Sequence, residues 1–103
     1  MMYANYMGYS DVDPYEVVKA VSKITLEIRE MDAERDDSFK PNFVPGGFSA
    51  ICTNQYDQKW DIKSNEKNPV IRIRLSKKKG WQDKYGRRFV LSEKPQKFYD
   101  YNF

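Results

Sequence analysis

The sequence predicts a small all-β protein, a barrel of about six short strands of the SH3-like or OB-like type. Three observations lead to this prediction: short segments with alternating apolar and polar residues, closely spaced turn residues, and a length of 103 residues that suits one domain with one core. Aromatic residues make up 16% of the chain, which favours a folded protein over a disordered one. We therefore expect residues 1–103 to form a single domain.

The first alternating segment, residues 15–21, has two interpretations. Asp13 and Pro14 could begin a short N-terminal helix, which would make the fold α+β, because an Asp cap followed by Pro is typical of helix starts. Residues 24–29, however, alternate apolar and polar side chains as a half-buried strand does. A Ser-Lys turn would join two such segments into a hairpin, so we favour a strand over residues 15–21.

The alternation disappears between residues 36 and 54, where prolines and the pair Gly46-Gly47 interrupt the chain. A structureless segment of this length is uncommon in a compact domain and is usually functional or disordered. Among its residues are the apolar Phe39, Phe43, Val44 and Phe48. These argue against disorder, so we expect a long loop over residues 36–54 that lies across one end of the sheet.

Alternation returns after residue 55. The predicted strands are residues 56–62, residues 70–75, a short return at Trp81, residues 88–91 and residues 97–103. In the clearest of them, residues 70–75, aliphatic side chains alternate with Arg72 and Arg74. Turns are expected at residues 65–69, 77–80 and 85–86, and the last strand would close the sheet.

The charges are unevenly distributed along the chain. Residues 1–59 contain 6 lysines and arginines against 10 acids, whereas residues 60–103 contain 12 against 5. Hairpin geometry would bring nine residues of the basic half together: Arg72, Arg74, Lys77, Lys78, Lys79, Trp81, Tyr85, Arg87 and Arg88. Basic side chains neutralise phosphates and aromatic rings stack on bases, so this surface is a binding candidate. The alternative is that the arginines are the solvated side of a strand and that Trp81 belongs to the core.

The residue types limit the chemistry. The chain has no histidine, which removes the commonest general base and metal ligand, and Cys52 is its only cysteine. A single cysteine can form neither an internal disulfide nor a cysteine zinc site, and it fits a reducing compartment. The acidic run over residues 32–37 lacks the glycine and glutamate of a calcium-binding loop. We expect no catalysis, no metal and no cofactor, with Cys52 a small buried side chain.

The long loop contributes three further binding candidates, Gly46, Gly47 and Asn54. Adjacent glycines can present backbone N–H groups to a phosphate, but the pair lacks the context of a phosphate-binding motif, and a turn with positive φ is the simpler explanation. No basic segment followed by an apolar run begins the sequence, and no stretch has the 18–20 apolar residues of a membrane helix. These features predict a cytoplasmic protein without membrane contact, whose oligomeric state is left open.

Several short motifs resemble a group of small proteins of uncharacterised function from phages and related mobile elements. They are Gly46-Gly47-Phe48, Cys52-Thr53-Asn54-Gln55, Gln58-Lys59-Trp60, Lys79-Gly80-Trp81 and the closing residues 98–103. Members of that group often have a histidine where this chain has Ile51, which counts against a metal or acid–base role for the segment here. The resemblance implies a phage or prophage accessory protein in the host-cell cytoplasm, but no particular activity.

Two functional hypotheses follow. In the first, the protein is not an enzyme, and its basic-aromatic hairpin docks onto a host protein or nucleoprotein, with a role against host defence as one possibility. Interface hot spots favour Trp, Tyr and Arg, which this hairpin supplies. In the second, the same surface of a small β-barrel binds nucleic acid or a nucleotide directly.

Overall fold

The computed structural model describes residues 2–46, 49–52 and 54–100. Within these residues it contains ten strands and one turn of 3-10 helix, Gln55–Asp57. The strands are β1 (Tyr3–Met7), β2 (Val12–Ser22), β3 (Thr25–Glu30), β4 (Asp32–Arg35), β5 (Phe43–Gly46), β6 (Ser49–Cys52), β7 (Trp60–Lys63), β8 (Val70–Ser76), β9 (Gly80–Gln82) and β10 (Arg88–Ser92). The described residues include no helix of the length and apolar character needed to cross a membrane.

Six of the described strands form a closed antiparallel barrel in the order β1-β10-β9-β8-β3-β2. The predicted all-β fold with a barrel of about six strands is confirmed. Its strands follow one another around the barrel in chain order, which is the up-and-down connectivity, whereas an OB-fold is a Greek key. The one long connection, residues 31–69, is inserted between β3 and β8.

Residues 12–22 form the longest strand of the barrel, so the strand interpretation was right and the helix interpretation was wrong. β2 and β3 make the predicted hairpin, and the Ser22 hydroxyl accepts a hydrogen bond from the Ile24 amide (3.3 Å) in its turn. Pro14 has no N–H to donate within β2, but its carbonyl accepts a hydrogen bond from the Met31 amide (3.0 Å). Two register shifts lie towards the end of the strand, between Val17 and Lys19 and between Ala20 and Ser22.

The barrel is closed by β1, which the sequence did not predict. Ala4 lies opposite Tyr15 of β2 on one side and opposite Leu91 of β10 on the other. The strand predicted over residues 97–103 is wrong for its described part, because residues 97–100 contribute only an isolated bridge between Val12 and Phe98. Residues 101–103 lie outside the described residues.

Asn5 determines where the C-terminal segment lies. Its buried side-chain amide donates to the Lys94 carbonyl (3.2 Å) and accepts from the Gln96 amide (2.9 Å). Further along, the Lys97 ammonium lies 2.5 Å from the Asp13 carboxylate. The segment therefore runs along the outside of β1 and β2 and covers a polar side chain that would otherwise be exposed.

The barrel interior is filled by side chains from five of its strands. The buried core consists of Ala4, Tyr15, Leu26, Ile28, Ile73 and Phe89. The Phe89 ring packs edge-on against Tyr15, with centroids 5.1 Å apart, and lies 5.5 Å from the Tyr6 ring. The inward side chains of β3 and β8 follow the predicted alternation, but Ile24 and Leu75 at the hairpin ends are exposed.

The inserted residues 31–69 form two small sheets of their own. β4 pairs with β7, and β5 pairs with β6 inside the segment predicted to be a loop. Phe39 of that segment is buried, as is Cys52, while Phe43 and Val44 are exposed and Phe48 lies outside the described residues. The strand predicted over residues 56–62 begins only at Trp60; Tyr56 is in the 3-10 turn and 84% exposed.

A buried carboxylate connects the end of this insertion to the barrel. Glu16 accepts hydrogen bonds from the Arg29 guanidinium (2.5 Å) and from the Ser64 hydroxyl (2.6 Å). Burial alone would raise the pKa of Glu16, but these two partners outweigh it and lower the pKa below its ordinary value. The insertion thus enters β8 from a fixed position.

Tyr15 gives the barrel a specific sensitivity to alkaline pH. Burial, reinforced by the nearby Glu30 carboxylate, raises the pKa of Tyr15 to about 12. Because the unfolded value is about 10, the neutral hydroxyl stabilises the fold below pH 10, and this contribution is lost as the pH rises towards 12.

Tyr15→Phe keeps the ring and cannot ionise. The urea midpoint of the variant, followed by tryptophan fluorescence, should fall less between pH 10 and 12 than that of the wild type; equal falls would contradict the assignment.

Candidate functional site

A row of polar side chains crosses the outside of β8, β9 and β10. Arg74 lies opposite Gln82, and Gln82 lies opposite Arg88. Side chains alternate between the two faces of a strand, and the neighbouring Ile73 and Phe89 are buried in the core. The row therefore faces solvent, and both arginines are exposed.

This part of the surface carries a large excess of positive charge. Residues 70–90 contain eight lysines and arginines and a single acid, Asp83. Two of the eight make ion pairs, Arg72 with Glu27 (3.1 Å) and Arg87 with Asp83. The other six make no ion pair within the described residues. We call the exposed set the basic face: Arg72, Arg74, Lys77, Lys78, Lys79, Lys84 and Arg88.

The basic face is a strip bounded by two turns, both of which lie where they were predicted. The lysine turn, residues 77–79, joins β8 to β9 and ends at Gly80, whose φ is +72°. The second turn joins β9 to β10 and contains Gly86, with a φ of +82°. Glycine is the residue that adopts such angles without strain. Because β9 has only three residues, the two turns are separated by about 10 Å.

The two aromatic residues predicted for this surface occupy different environments. Trp81 lies opposite Leu75 and Phe89 and packs, half-buried, against the core. Its ring therefore lies on the inner face of the sheet, whereas Arg74 and Arg88 lie on the outer face. This agrees with the alternative interpretation, in which Trp81 belongs to the core. Tyr85 is 75% exposed, and the Lys84 ammonium lies 5.0 Å from its ring centroid.

Asp83 holds the turn that carries Tyr85. Its carboxylate, whose side chain is only 3% exposed, accepts hydrogen bonds from the Tyr85 amide (2.9 Å), the Arg87 amide (2.9 Å) and the Arg87 guanidinium. Burial alone would raise the pKa of Asp83, but these bonds outweigh it and lower the pKa below its ordinary value. The hydrogen bond between the Arg87 guanidinium and the Asp83 carboxylate also raises the pKa of Arg87. The guanidinium lies 5.3 Å from the Tyr6 ring centroid. Arg87 is thus a structural residue.

Two adjoining grooves follow the basic face and share three residues, Arg72, Asp83 and Lys84. The larger one, with a volume of about 390 Å³, continues along β8 and β9 past Arg74 and Gln82. The smaller, of about 290 Å³, is lined in addition by Val70, Ile71, Tyr85 and Arg87. The larger groove carries three cations, Arg72, Arg74 and Lys84, and we call it the cationic groove. Its neighbour adds apolar side chains and an aromatic ring.

The candidates in the long loop have structural partners. Asn54 donates to the Lys40 carbonyl (2.9 Å) and accepts from the Asn42 amide (2.8 Å), so its side chain holds the loop together. The backbone of Gly46 lies opposite Ser49 in the β5–β6 hairpin, and Gly47 lies outside the described residues. Gly46 and Asn54 thus belong to the insertion and not to the strands that carry the basic face.

The acidic residues after β3 also have structural roles. Asp32 accepts hydrogen bonds from the side chains of Asn65 (2.9 Å) and Asn68 (3.3 Å), and Asp36 accepts one from the Ser38 amide (2.8 Å). Over the described ranges, no group of three or more metal-ligating side chains could hold a metal ion. These carboxylates connect turns of the insertion.

Two residues of the site were missed from the sequence, Gln82 and Lys84. Gln82 follows Trp81 in β9, and alternation alone would have placed one of these two residues outside, without saying which. Lys84 stands beside Tyr85 in the predicted turn, so its charge and its position were both visible. The structure adds that both residues line the cationic groove.

The chain matches no protein-family model, and neither the curated proteins nor the solved structures include a match. The fold by itself does not specify a function, because small barrels serve many. The residues of the site are therefore the features that bear on function.

The Asp83 hydrogen bonds can be tested by a conservative substitution. Asp83→Asn should lower the unfolding free energy at pH 7 by about 2 kcal/mol, because hydrogen bonds to a charged group are lost. A carboxyl with a lowered folded-state pKa stabilises the fold above its unfolded pKa, and this contribution disappears on acidification through the folded pKa. The wild type should therefore lose more stability than the variant when urea unfolding is repeated at pH values falling from 5 to 2.

A matched control is Asp61→Asn, since Asp61 pairs with Lys63 and both side chains are well exposed. Exposed pairs contribute little, so this variant should unfold nearly as the wild type does. If the two asparagine variants behaved alike at pH 7, the structural role of Asp83 would be wrong.

Proposed function

We propose that this protein is a non-enzymatic binding protein whose basic face binds single-stranded nucleic acid through its phosphates. One observation carries the proposal: six exposed cations without an ion-pair partner in the described structure lie on one side of the barrel, next to an exposed aromatic ring. Folding leaves this charge uncompensated. A polyanion would neutralise it.

The positions of the donors support phosphates as the bound groups. Arg74 and Arg88 flank Gln82 across three strands, so two guanidinium groups and an amide lie in one row. Guanidinium groups bind phosphate oxygens in pairs of parallel hydrogen bonds. The lysine turn and Lys84 lie on either side of this row, at the two ends of β9, and a single strand can follow such a surface flexibly.

A binding role is favoured over catalysis by the chemistry of the same residues. Asp83 is the only acid among residues 70–90, and its carboxylate is already engaged by Arg87. The basic face thus offers donors and positive charge and lacks a free general base. Such a set of groups suits recognition of an anion.

An acidic protein surface is a second candidate ligand, and one observation favours it. Because Trp81 packs inwards, Tyr85 is the exposed ring at this site, and one ring stacks only one base. Arginine and tyrosine are also frequent hot spots of protein interfaces. This second function agrees with the resemblance to phage accessory proteins, whose partner would be a host protein or nucleoprotein.

The nucleic-acid proposal predicts the effect of removing two cations from the row. Arg74→Ala/Arg88→Ala should weaken binding of a fluorescein-labelled single-stranded oligonucleotide at least about tenfold, as measured by anisotropy, because two charge-assisted contacts are lost. The slope of log K against log salt should decrease by about 1.4, since each phosphate contact with a single strand contributes about 0.7.

The control for this experiment is Lys40→Ala/Lys63→Ala, which removes the same charge from the insertion. It should bind like the wild type, and both variants should keep the wild-type urea midpoint within error, because all four side chains are exposed. Equal weakening by the two variants would show a non-specific charge effect. Absence of binding at low salt would exclude nucleic acid, and the acidic-protein candidate would then be tested.

A further inference from the structure

We infer that the smaller groove, which Tyr85 lines, binds one nucleotide, with its base against Tyr85, Val70 and Ile71 and its phosphate in the adjoining cationic groove. This inference rests on the proposed function and deepens it. Phosphate binding explains the cations of this surface but not the apolar side chains of the smaller groove. The inference gives these side chains a role, which is to contact a base.

The smaller groove has an apolar part, formed by Val70, Ile71 and Tyr85, which suits an aromatic group, while its other four lining residues are charged. Val70 is exposed at the start of β8, and Ile71 beside it is half-buried at the edge of the core. The Tyr85 ring completes the apolar lining. The volume of the groove, about 290 Å³, is at the lower end of small-molecule sites, which suits one base-sized group.

The neighbouring cations supply the second half of the site. Arg72 and Lys84 line both grooves, so a group bound against Tyr85 lies next to positive charge. In the described structure Arg72 uses only its Nε for the pair with Glu27, which leaves its terminal N–H donors for a ligand. An apolar ring attached to a phosphate has the chemistry that matches this pair of grooves.

The Tyr85 turn is held in place before any ligand binds. The Asp83 carboxylate fixes the Tyr85 amide, and the Gly86 amide donates to the Asp83 carbonyl (3.1 Å). A preorganised turn loses less conformational entropy on binding than a mobile one. A smaller part of the stacking energy is therefore spent on ordering the turn, and more of it increases the affinity for the nucleotide.

The test is an NMR titration of isotopically labelled protein with adenosine monophosphate and, in parallel, with ribose 5-phosphate, which lacks the base. Adenosine monophosphate should shift the methyl signals of Val70 and Ile71 and the ring signals of Tyr85. Ribose 5-phosphate should leave the methyl signals unshifted and bind at least about fivefold more weakly, since stacking of one base is worth at least that factor.

Two substitutions of the exposed ring separate stacking from other effects. Tyr85→Ala should weaken adenosine monophosphate at least fivefold and leave ribose 5-phosphate unchanged, whereas Tyr85→Phe keeps the ring and should remain within twofold of the wild type. Equal affinities for the two ligands, an unaffected Tyr85→Ala, or no shifts at Val70, Ile71 and Tyr85 would each overturn the inference.

These outcomes are independent of those for the proposed function. If oligonucleotides fail to bind while adenosine monophosphate shifts the groove residues in a Tyr85-dependent way, the nucleotide site stands and strand binding fails. If oligonucleotides bind but the mononucleotide shows no dependence on its base, strand binding stands and the base site is overturned.

Discussion

The structure depends on the pairing of β1 with two strands at once. Its residues lie between β2 and β10, and without it the remaining five strands of the barrel would form an open sheet with two free edges. Closure removes these edges, which are otherwise templates for aggregation. It also fixes the curvature of the sheet, so that β8, β9 and β10 present their outer side chains on a convex surface.

The same alternation supplies both the core and the basic face. In β8 and β10, Ile73 and Phe89 are buried, and the adjacent Arg74 and Arg88 are exposed on the other side. A substitution that shifted the register of either strand by one residue would therefore exchange core and surface. Asp83 is the exception in this basic region, and its hydrogen bonds show why an acid stands there: it maintains the turn between β9 and β10.

The sequence predicted the strands in which apolar side chains are buried and polar side chains are exposed. β3, β8 and β10 alternate clearly, and the turns at Gly80 and Gly86 have the residue that positive φ requires. β1 escaped detection because the side chain it buries at the centre of the core is the small Ala4, and its outward Asn5 is buried under the C-terminal segment.

The error near the C-terminus is the reverse case: a segment with the residues of a strand was predicted to be one and is not. Its aromatic residues look like a strand but contact the insertion: the Phe98 ring stacks on Tyr56 with centroids 5.7 Å apart, and the Gln58 side chain exchanges two hydrogen bonds with the Tyr99 backbone. Such contacts depend on tertiary structure, which local patterns do not contain. For the candidate site, charge and turns were visible in the sequence, whereas the orientation of Trp81 was decided by the register of β9.

The position of β1 has a consequence for folding during synthesis on the ribosome. Tyr3 of β1 pairs with Ser92 of β10, so β1 must wait until β10 has been synthesised before its second neighbour exists. At about 5–20 residues per second, this delay is on the order of 4–20 seconds. During that time β1, β2 and β3 can form a three-stranded meander with two free edges: β3, which is paired once β8 is made, and β1, which stays free until β10 is made. The nascent chain thus carries an unprotected edge for seconds, and closure of the barrel is among the last steps of its folding.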